Sequence, residues 1–399
     1  MMDKKQTALV PLDAKTLKQG YWARVSHAYS FVFHALLFVL PLFVIVFMAL
    51  CAQAFTRNSV FGFGKDLLSV PSFLSSDYQT VYYTYEEGER SVLAYRDGVA
   101  VVNSAGIKVY SPDSARLLDK NMRFTAPRAA ASDKYLIAYD FASTAFSVTN
   151  GYSVLFEGET DFPILDAAVA DTGHFAIVTS SQTHLSQVLL YDANFNLIQR
   201  FSRTSATTDV CISSNGKYVA FCALTTENGA VQSIVEAYRI GAREPTFSIR
   251  IADAALALSF TDARHLMLVT PTAGYALDLD GKQAKISFGG HRLVGYDVAK
   301  DGCAFLLNVD NTHEKSRVIV CDKRGDTVRE SDLEQSFTAV AVGESHVYLL
   351  SEDALWRVEI KDGGTQTLAV QTGAEAILLT DGEQLRLVRD GAAEYVEFD

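Results

Sequence analysis

The chain has 399 residues, carries a formal net charge of −12 at neutral pH, and is 49% hydrophobic. This length allows one large domain or two ordinary ones, with ample apolar material for a core. The acidic balance argues against a nucleic-acid partner, because binding to a phosphate backbone requires a basic surface. An aromatic content of 11%, led by 24 phenylalanines and 18 tyrosines, favours strands over helices.

An uncharged apolar segment follows a short N-terminal tail. Residues 31–55, FVFHALLFVLPLFVIVFMALCAQAF, contain no Asp, Glu, Lys or Arg. At about 1.5 Å per residue, a helix of this length crosses a hydrocarbon core of about 30 Å. A cleaved signal peptide is the alternative, but its apolar region would be only about 7–15 residues long. We therefore predict a retained transmembrane helix over residues 30–56.

The charges that flank this segment predict its orientation. The tail, residues 1–29, has two acidic residues and five basic ones: Lys4, Lys5, Lys15, Lys18 and Arg24. Cytoplasmic flanks of membrane helices are enriched in Lys and Arg, so we expect the tail in the cytoplasm and residues 57–399 outside. Residues 57–77 are rich in Ser and Gly, which predicts a stalk. The predicted localisation is the cell membrane, with a single pass.

From residue 78 onward, short apolar runs of strand length alternate with turns. Eight segments share one pattern, in which a strand, a tight turn and a second strand follow each other. They are SVLAYRDGVAVVNS (91–104), RAAASDKYLIAYD (128–140), DAAVADTGHFAIVTS (166–180), DVCISSNGKYVAFCAL (209–224), ALSFTDARHLMLVT (257–270), GYDVAKDGCAFLLN (295–308), TAVAVGESHVYLLS (338–351) and EAILLTDGEQLRLVR (375–389). Successive turns are about 40 residues apart, which is the repeat length of β-propeller blades.

Each unit continues with a third strand, a polar turn and a fourth strand, as in VLLYDANFNLIQRF (188–201). We therefore predict an all-β fold, a β-propeller of eight four-stranded blades over residues 78–399, with WD40-like or quinoprotein-like repeats. A seven-bladed ring is the alternative, because the unit over residues 128–165 is weak. The last unit supplies only three strands, and a spare strand, QTVYYTYEE (79–87), precedes the first unit. We expect the spare strand to complete the last blade and close the ring.

Four of the five cysteines fall in the predicted propeller. Cys211 and Cys222 flank one turn, and Cys303 and Cys321 belong to the second and third strands of one blade. An outer compartment permits disulfides, but directly paired strands give an awkward geometry for them. We expect buried free thiols, with a disulfide in either pair as the alternative.

Sequence motifs for catalysis are missing. The chain has no Gly-x-Ser-x-Gly elbow, no phosphate-binding loop, and no His-x-x-x-His or Cys-x-x-Cys pair. We therefore assign no catalytic residue, no cofactor and no metal. Acidic residues recur at the inner turns, where Asp commonly stabilises the backbone, so we interpret them as turn residues rather than as a cation site. These residues are Asp97, Asp133, Asp171, Asp262, Asp301 and Asp381.

Two longer polar loops between second and third strands are the predicted contact surface, TTENGAVQS (225–233) and VDNTHEKSR (309–317). Binding residues on a rigid scaffold are most often found in such loops. The candidate binding residues are Glu227, Asn228, Asp310, Asn311, His313 and Glu314.

One passage resembles a known family. Residues 138–201 contain the run YD...FSV.NG...LFE, the hairpin I..AAV...G..A.VT and the turn YD.N...I. They resemble a family of single-pass membrane proteins from Gram-positive anaerobes that is described only as a domain of unknown function. The resemblance implies a short basic tail, one helix and an outer propeller. It implies no activity and no catalytic residue.

Together these features favour a membrane-anchored extracytoplasmic propeller that acts as a non-enzymatic binding or scaffolding module. The expected partner is another envelope protein or a cell-wall polymer. The first alternative is a hydrolase or lyase on envelope glycans, with residues from several blades at the channel mouth. The second is a ligand sensor, which would need a cytoplasmic partner because the tail is too short for a signalling domain.

Overall fold

The computed structural model describes most of the propeller and a small part of the N-terminal segment. The described residues are 25, 29–37, 39, 41, 77–84, 88–300, 302–309, 314–380 and 383–398. Residues 25, 29–37, 39 and 41 are helical, and no helix among the described residues is long and apolar enough to cross a membrane. Most of the predicted tail, span and stalk lies outside the described residues, so the anchor remains a prediction.

Thirty-two strands are found in the described residues, and they form eight four-stranded antiparallel sheets, which we number as blades 1–8. The chain begins with β1 (Val81–Tyr82), which belongs to blade 8. Blades 1–4 contain β2 (Ser91–Tyr95), β3 (Gly98–Asn103), β4 (Gly106–Tyr110), β5 (Arg116–Asn121), β6 (Pro127–Ala131), β7 (Tyr135–Asp140), β8 (Ala145–Asn150), β9 (Ser153–Glu159), β10 (Ile164–Val169), β11 (Phe175–Ser180), β12 (Ser186–Tyr191), β13 (Leu197–Arg203), β14 (Ala206–Ile212), β15 (Tyr218–Glu227), β16 (Ala230–Arg239) and β17 (Phe247–Ile251). Blades 5–8 contain β18 (Ala257–Phe260), β19 (His265–Val269), β20 (Ala273–Asp278), β21 (Gln283–Ser287), β22 (Arg292–Ala299), β23 (Gly302–Asn308), β24 (Ser316–Asp322), β25 (Thr327–Leu333), β26 (Ala339–Val342), β27 (His346–Leu350), β28 (Ala354–Glu359), β29 (Thr365–Ala369), β30 (Ala376–Leu379), β31 (Leu385–Arg389) and β32 (Ala392–Val396).

Each predicted unit forms one blade, so the eight-bladed propeller is confirmed and the seven-bladed alternative is wrong. The weak unit is blade 2, a complete sheet of β6 to β9. In blades 1–7 the hydrogen-bonded order of the strands is their chain order. The first strands of most neighbouring blades contact each other, and they line a central channel.

The predicted closure of the ring by the spare strand is also confirmed. Strand β1 pairs with β32 in the register Val81↔Ala393 and Tyr82↔Ala392. The backbone N–H of Tyr83 donates to the carbonyl of Gly391 at 2.9 Å, which extends the pairing by one residue. Residues from both ends of the chain therefore share one sheet, which removes two free strand edges.

Apolar residues from neighbouring blades pack against each other between the sheets. One cluster joins Val178 and Val188 of blade 3 to Phe221 and Tyr238 of blade 4. Burial of a side chain such as Phe221 contributes about 1.5–3 kcal/mol to stability. The blade interfaces therefore form the core, and the inner strands are held where they line the channel.

A buried arginine lies in the seam between blades 8 and 1. The side chain of Arg386 is 1% exposed, and its guanidinium donates to the carbonyls of Asp97 at 3.1 Å and Pro112 at 3.2 Å. The guanidinium carbon of Arg386 lies 5.9 Å from the ring centroids of Tyr78 and Tyr395. These two rings stack on each other with their centroids 5.5 Å apart. Burial lowers the pKa of Arg386 from its ordinary value. A guanidinium nevertheless stays protonated in proteins, so the seam holds a permanent positive charge.

The two faces of the ring differ in the connections that they carry. The turn face has the turns between first and second strands and between third and fourth strands. The loop face has the connections between second and third strands and the crossovers between blades. The backbone N–H of Gln79 donates to Pro112, which lies in the turn between β4 and β5. The described chain therefore enters blade 8 at the turn face, and β1 runs from there toward the loop face.

Candidate functional site: the central channel and the loop face

The central channel contains two adjoining cavities of about 550 and 560 Å³. Both are lined by Ala131, Val298, Ala299 and Lys300, so they form one continuous space. Small side chains on the inner strands keep this space open. Its polar lining comes mainly from carboxyl groups.

Three of these carboxyl groups lie on inner strands and connect each blade to the next. Asp166 accepts a hydrogen bond from the backbone N–H of Val210 at 2.9 Å. Asp209 accepts one from Leu258 at 2.6 Å, and Asp297 accepts one from Val342 at 2.8 Å. Each bond crosses from one inner strand to the inner strand of the following blade.

Local irregularities of the inner strands place these side chains. The pairing of β10 shifts register between Ile164 and Asp166, and that of β14 shifts between Thr207 and Asp209. A β-bulge re-aims the side chain that follows it. The strands of blades 3 and 4 thus turn an aspartate toward the neighbouring blade.

Asp166 and Asp209 lie side by side in the wall of one cavity, because Asp166 accepts the backbone N–H of Val210, the residue after Asp209, and their carboxyl groups interact directly. The hydroxyl of Tyr139 donates to the other oxygen of Asp166 at 3.1 Å. Burial raises the pKa of both aspartates, and the charge of Asp166 raises the pKa of Asp209 further. Two carboxyl groups in contact do not both ionise readily, so the pair loses its last proton at a higher pH than an isolated aspartate would. Both residues remain half-buried, since water in the channel reaches them.

Asp297 occupies the equivalent position in blade 6 without a carboxyl neighbour in contact. Burial raises its pKa, while the backbone N–H groups of Val342 and Val298 lower it. The three aspartates are therefore alike in position, but only Asp166 and Asp209 form a pair.

Carboxylates also surround the channel at the turn face. The interpretation as turn residues is confirmed for Asp262, which accepts hydrogen bonds from the backbone N–H groups of Arg264 and His265. Asp171 differs, because it accepts the N–H of Asp133 from the turn of the preceding blade. Glu383 makes the same kind of link to Ser345. The predicted turn residues Asp301 and Asp381 lie outside the described residues.

On the loop face, the hairpin of β15 and β16 projects beyond its blade. The two strands pair over ten residues up to Glu227↔Ala230, whereas β14 and β17 end opposite Leu224 and Ser233. The three outermost pairs therefore extend the hairpin by about 10 Å. Asn228 and Gly229 form its turn with φ of 52° and 81°, as a type I′ turn requires.

The predicted binding residues are placed only in part by the structure. Glu227 and Asn228 lie at the tip of the projecting hairpin and are exposed. Glu314 is exposed just before β24. The remaining candidates, Asp310, Asn311 and His313, lie outside the described residues. The structure thus puts three of the six candidates on the loop face, and their role in binding stays a prediction.

Exposed apolar side chains lie on the same face in three consecutive blades. Leu185 of blade 3 is 62% exposed, Val231 of blade 4 is 48% exposed, and Leu256 precedes blade 5 with 50% exposure. Val231 belongs to the projecting hairpin, next to its tip.

Cys211, Cys222, Cys303 and Cys321 are free and buried, as expected. Cys303 and Cys321 are direct partners in the register of β23 and β24, whereas Cys211 pairs with Ala220 and Cys222 with Asp209. Burial raises the pKa of Cys222 to about 12, so its thiol is protonated at neutral pH. Cys51 lies outside the described residues. In the part of the chain that is described, no group of three His, Cys, Asp or Glu side chains is arranged to hold a metal ion.

Sequence reasoning missed the inner-strand aspartates as a set. Asp166 and Asp209 each begin a segment that we quoted as a repeat unit, and Asp297 is the third residue of another. A charged residue at the same place in otherwise apolar strands was the available signal.

Comparison with known folds supports the architecture. The crystal structure of a eukaryotic initiation factor is 12% identical and matches with a TM-score of 0.55, covering 81% of this chain and 96% of that one. The crystal structure of Saccharomyces cerevisiae Sqt1 is 11% identical, with a TM-score of 0.56 and coverages of 81% and 99%. These likenesses concern the fold alone. A comparison with curated proteins gives no significant match.

Residues 73–396 match the Family of unknown function (DUF5711). The match spans the stretch from just before the closing strand to the end of the last blade, which is most of the chain. The chain therefore belongs to this family of unknown function.

Proposed function

We propose that the protein is a membrane-anchored, extracytoplasmic propeller that binds an envelope protein or a cell-wall polymer through its loop face, without catalysing a reaction. The observation that carries this proposal is the projecting hairpin of β15 and β16. It raises Glu227 and Asn228 by about 10 Å above the blade and exposes Val231 beside them. An ordered projection of this kind on a rigid ring is a common form of a binding site.

Two further features support the loop face. Gln79 binds Pro112 at the turn face, on the opposite side of the ring from the projecting hairpin. Leu185, Val231 and Leu256 give it exposed apolar surface on three consecutive blades. Binding surfaces combine such apolar side chains with a polar surround, which Glu227 and Asn228 supply here.

The contact between Asp166 and Asp209 argues against this pair as the two carboxyl groups of a glycoside hydrolase. Glycoside hydrolases use two carboxyl groups that are about 5–9.5 Å apart, with the sugar between them. Asp166 and Asp209 are in contact, and each has an oxygen that accepts a backbone N–H of the next blade. No sugar fits between them, and their outer oxygens hold the blades together.

The test uses a photo-crosslinking amino acid in the full-length chain in living cells. It replaces Val231 on the loop face in one variant and Tyr152 on the turn face in the other. Both positions are 48% exposed, so the pair differs in the face and not in exposure. We expect an envelope protein or a wall fragment to crosslink at position 231 only. Equal products from both faces, or products from position 152 alone, would contradict binding by the loop face.

The proposed anchor is tested separately by fractionation. The full-length chain should stay in the membrane pellet after an alkaline wash, and a protease added to intact cells should cut the propeller. A variant without residues 1–56 should be released. If the full-length chain also appears in the soluble fraction, the anchor is wrong, whatever the crosslinking shows.

A further inference from the structure

The inner strands of blades 3 and 4 make a contact between carboxyl groups that the inner strand of blade 6 lacks. Asp166, Asp209 and Asp297 each accept a backbone N–H from the following blade. Only the first two lie on neighbouring blades, and only they bring two carboxyl groups into contact. A direct bond between two carboxyl groups needs a hydrogen atom, because two carboxylates offer acceptors alone.

Neighbouring elements place further titratable groups around this pair. Tyr139 of β7 donates to Asp166, and Tyr296 of β22 lies close enough to feel the charge of Asp209. Cys211 of β14 and Cys222 of β15 are also close enough to feel the charge of Asp209. Beyond these, Arg128 acts on Tyr139, and Lys300 lines the same cavity.

We propose that Asp166 and Asp209 form a proton-held joint between blades 3 and 4, and that the joint loosens as the pH rises. In the closed joint, the carboxylic acid of Asp209 donates its O–H to the carboxylate of Asp166. At higher pH, hydroxide or a buffer base in the channel water removes this proton, which leaves two carboxylates in contact. Their repulsion acts directly on β10 and β14, which face each other across the seam.

The direction of the pH effect follows from proton linkage. When the joint opens, both carboxyls are hydrated and their pKa values return to about 3.9, so opening releases the held proton. Above about pH 4, the equilibrium constant for opening therefore rises about tenfold per pH unit, until the pair ionises in the closed state.

Hydrogen exchange of the full-length chain, followed by mass spectrometry between pH 5.5 and 8.5, tests this inference. After correction for the intrinsic exchange rate, protection of β14 should fall by up to about tenfold per pH unit. In Asp209→Asn the side-chain N–H₂ donates to Asp166 and the oxygen still accepts the N–H of Leu258, so this dependence should vanish. Asp297→Asn is the matched control and should leave the dependence in β14 unchanged. The same slope in Asp209→Asn as in the wild type would overturn the proposal.

A second measurement keeps the test decisive if Asp209→Asn does not fold. Asp166→Asn also preserves a hydrogen bond across the seam and should remove the dependence in the same way. In infrared spectra at pH 7, the wild type should show the C=O stretch of a protonated carboxyl group. The contribution of the Asp166–Asp209 pair to this C=O band should be lost in Asp166→Asn or Asp209→Asn and kept in Asp297→Asn. A band unchanged in all three variants would show that the pair holds no proton.

Discussion

The seam between blades 8 and 1 and the seam between blades 3 and 4 each hold an ionisable group that no oppositely charged side chain among the described residues contacts. At the first, the guanidinium of Arg386 is held by two carbonyls and two aromatic rings. At the second, two carboxyls share the site. A guanidinium cannot lose its charge under ordinary conditions, whereas a carboxyl pair can keep a proton. The first seam should therefore be indifferent to pH, and the second should not.

The largest effect is expected when the fixed charge is removed. In Arg386→Met the apolar volume is kept, but the carbonyls of Asp97 and Pro112 lose a charged donor. Two such hydrogen bonds contribute about 3 kcal/mol, so we expect the free energy of unfolding to fall by about this amount. Urea unfolding of the full-length chain, followed by tryptophan fluorescence, measures it.

Arg116→Met is the matched control, because Arg116 is an exposed cation of blade 1 that forms a surface ion pair with Asp119. Surface ion pairs of this kind contribute about 0–1 kcal/mol. Similar losses in the two variants would mean that Arg386 acts as one more surface charge and does not hold the closing seam.

These two seams mark the limit of what the sequence predicts. The eight blades and the closing strand follow from alternating apolar runs and from turns at a regular spacing, which are local properties. Arg386 is one of two arginines in the strand LRLVR (385–389), and its partners Asp97 and Pro112 are more than 270 residues away in the chain. The identity of those partners depends on ring closure in three dimensions.

The candidate site, too, could be predicted from the sequence only in part. The sequence predicts a polar loop over residues 225–233, whereas the structure continues β15 to Glu227 and begins β16 at Ala230, so that only Asn228 and Gly229 form the turn. The length of the projection depends on where β14 and β17 stop, which apolar patterning does not specify. Contact between Asp166 and Asp209 requires two bulges and two neighbouring blades, so no single repeat unit contains the information.

The next largest effect distinguishes two contributions of Asp209 to stability. One is the hydrogen bond that it accepts from Leu258, and the other is the proton that it shares with Asp166. Asp209→Ala leaves the buried N–H of Leu258 without its acceptor, and an unsatisfied buried group costs about 1–3 kcal/mol. Asp209→Asn keeps the acceptor, so at pH 7 it should be at least as stable as the wild type. Urea unfolding of the three proteins decides the point. If Asp209→Asn is as unstable as Asp209→Ala, the carboxyl group itself is needed and the proton-held joint is wrong.

The pH dependence of stability is a smaller effect with a defined sign. Burial raises the pKa values of Asp166, Asp209 and Asp297, so the folded state holds more protons than the unfolded state. Above about pH 4 stability should therefore fall as the pH rises, by up to about 1.4 kcal/mol per unit for each proton. Urea midpoints measured from pH 4 to 8 should show this slope in the wild type and in Arg386→Met, and a reduced slope in Asp209→Asn.

A contribution of opposite sign belongs to the turn face and to a lower pH window. Although burial opposes it, hydrogen bonds from Arg264 and His265 hold the pKa of Asp262 at about 2. Its stabilising effect is complete above about pH 4 and is lost as the pH falls toward 2. Asp262→Asn should therefore flatten the profile below pH 4. A profile below pH 4 that is unchanged in this variant would contradict the assignment to Asp262.

The smallest effect concerns how much strand pairing contributes to closure. Strand β1 has only two residues, and the hydroxyl oxygen of Thr80 accepts the backbone N–H of Tyr395 at 3.2 Å just before it. Thr80→Val keeps the shape of the side chain and removes this single, half-buried bond, so we expect a loss of about 1 kcal/mol that does not vary with pH. In a double-mutant cycle with Arg386→Met, a modest coupling of about 0.5 kcal/mol is expected, because both residues contact Tyr395, Thr80 at the backbone N–H of Tyr395 and Arg386 beside its ring. A loss as large as that of Arg386→Met, or a strong coupling between the two, would mean that the ring is closed mainly by the strand and that the buried cation depends on it.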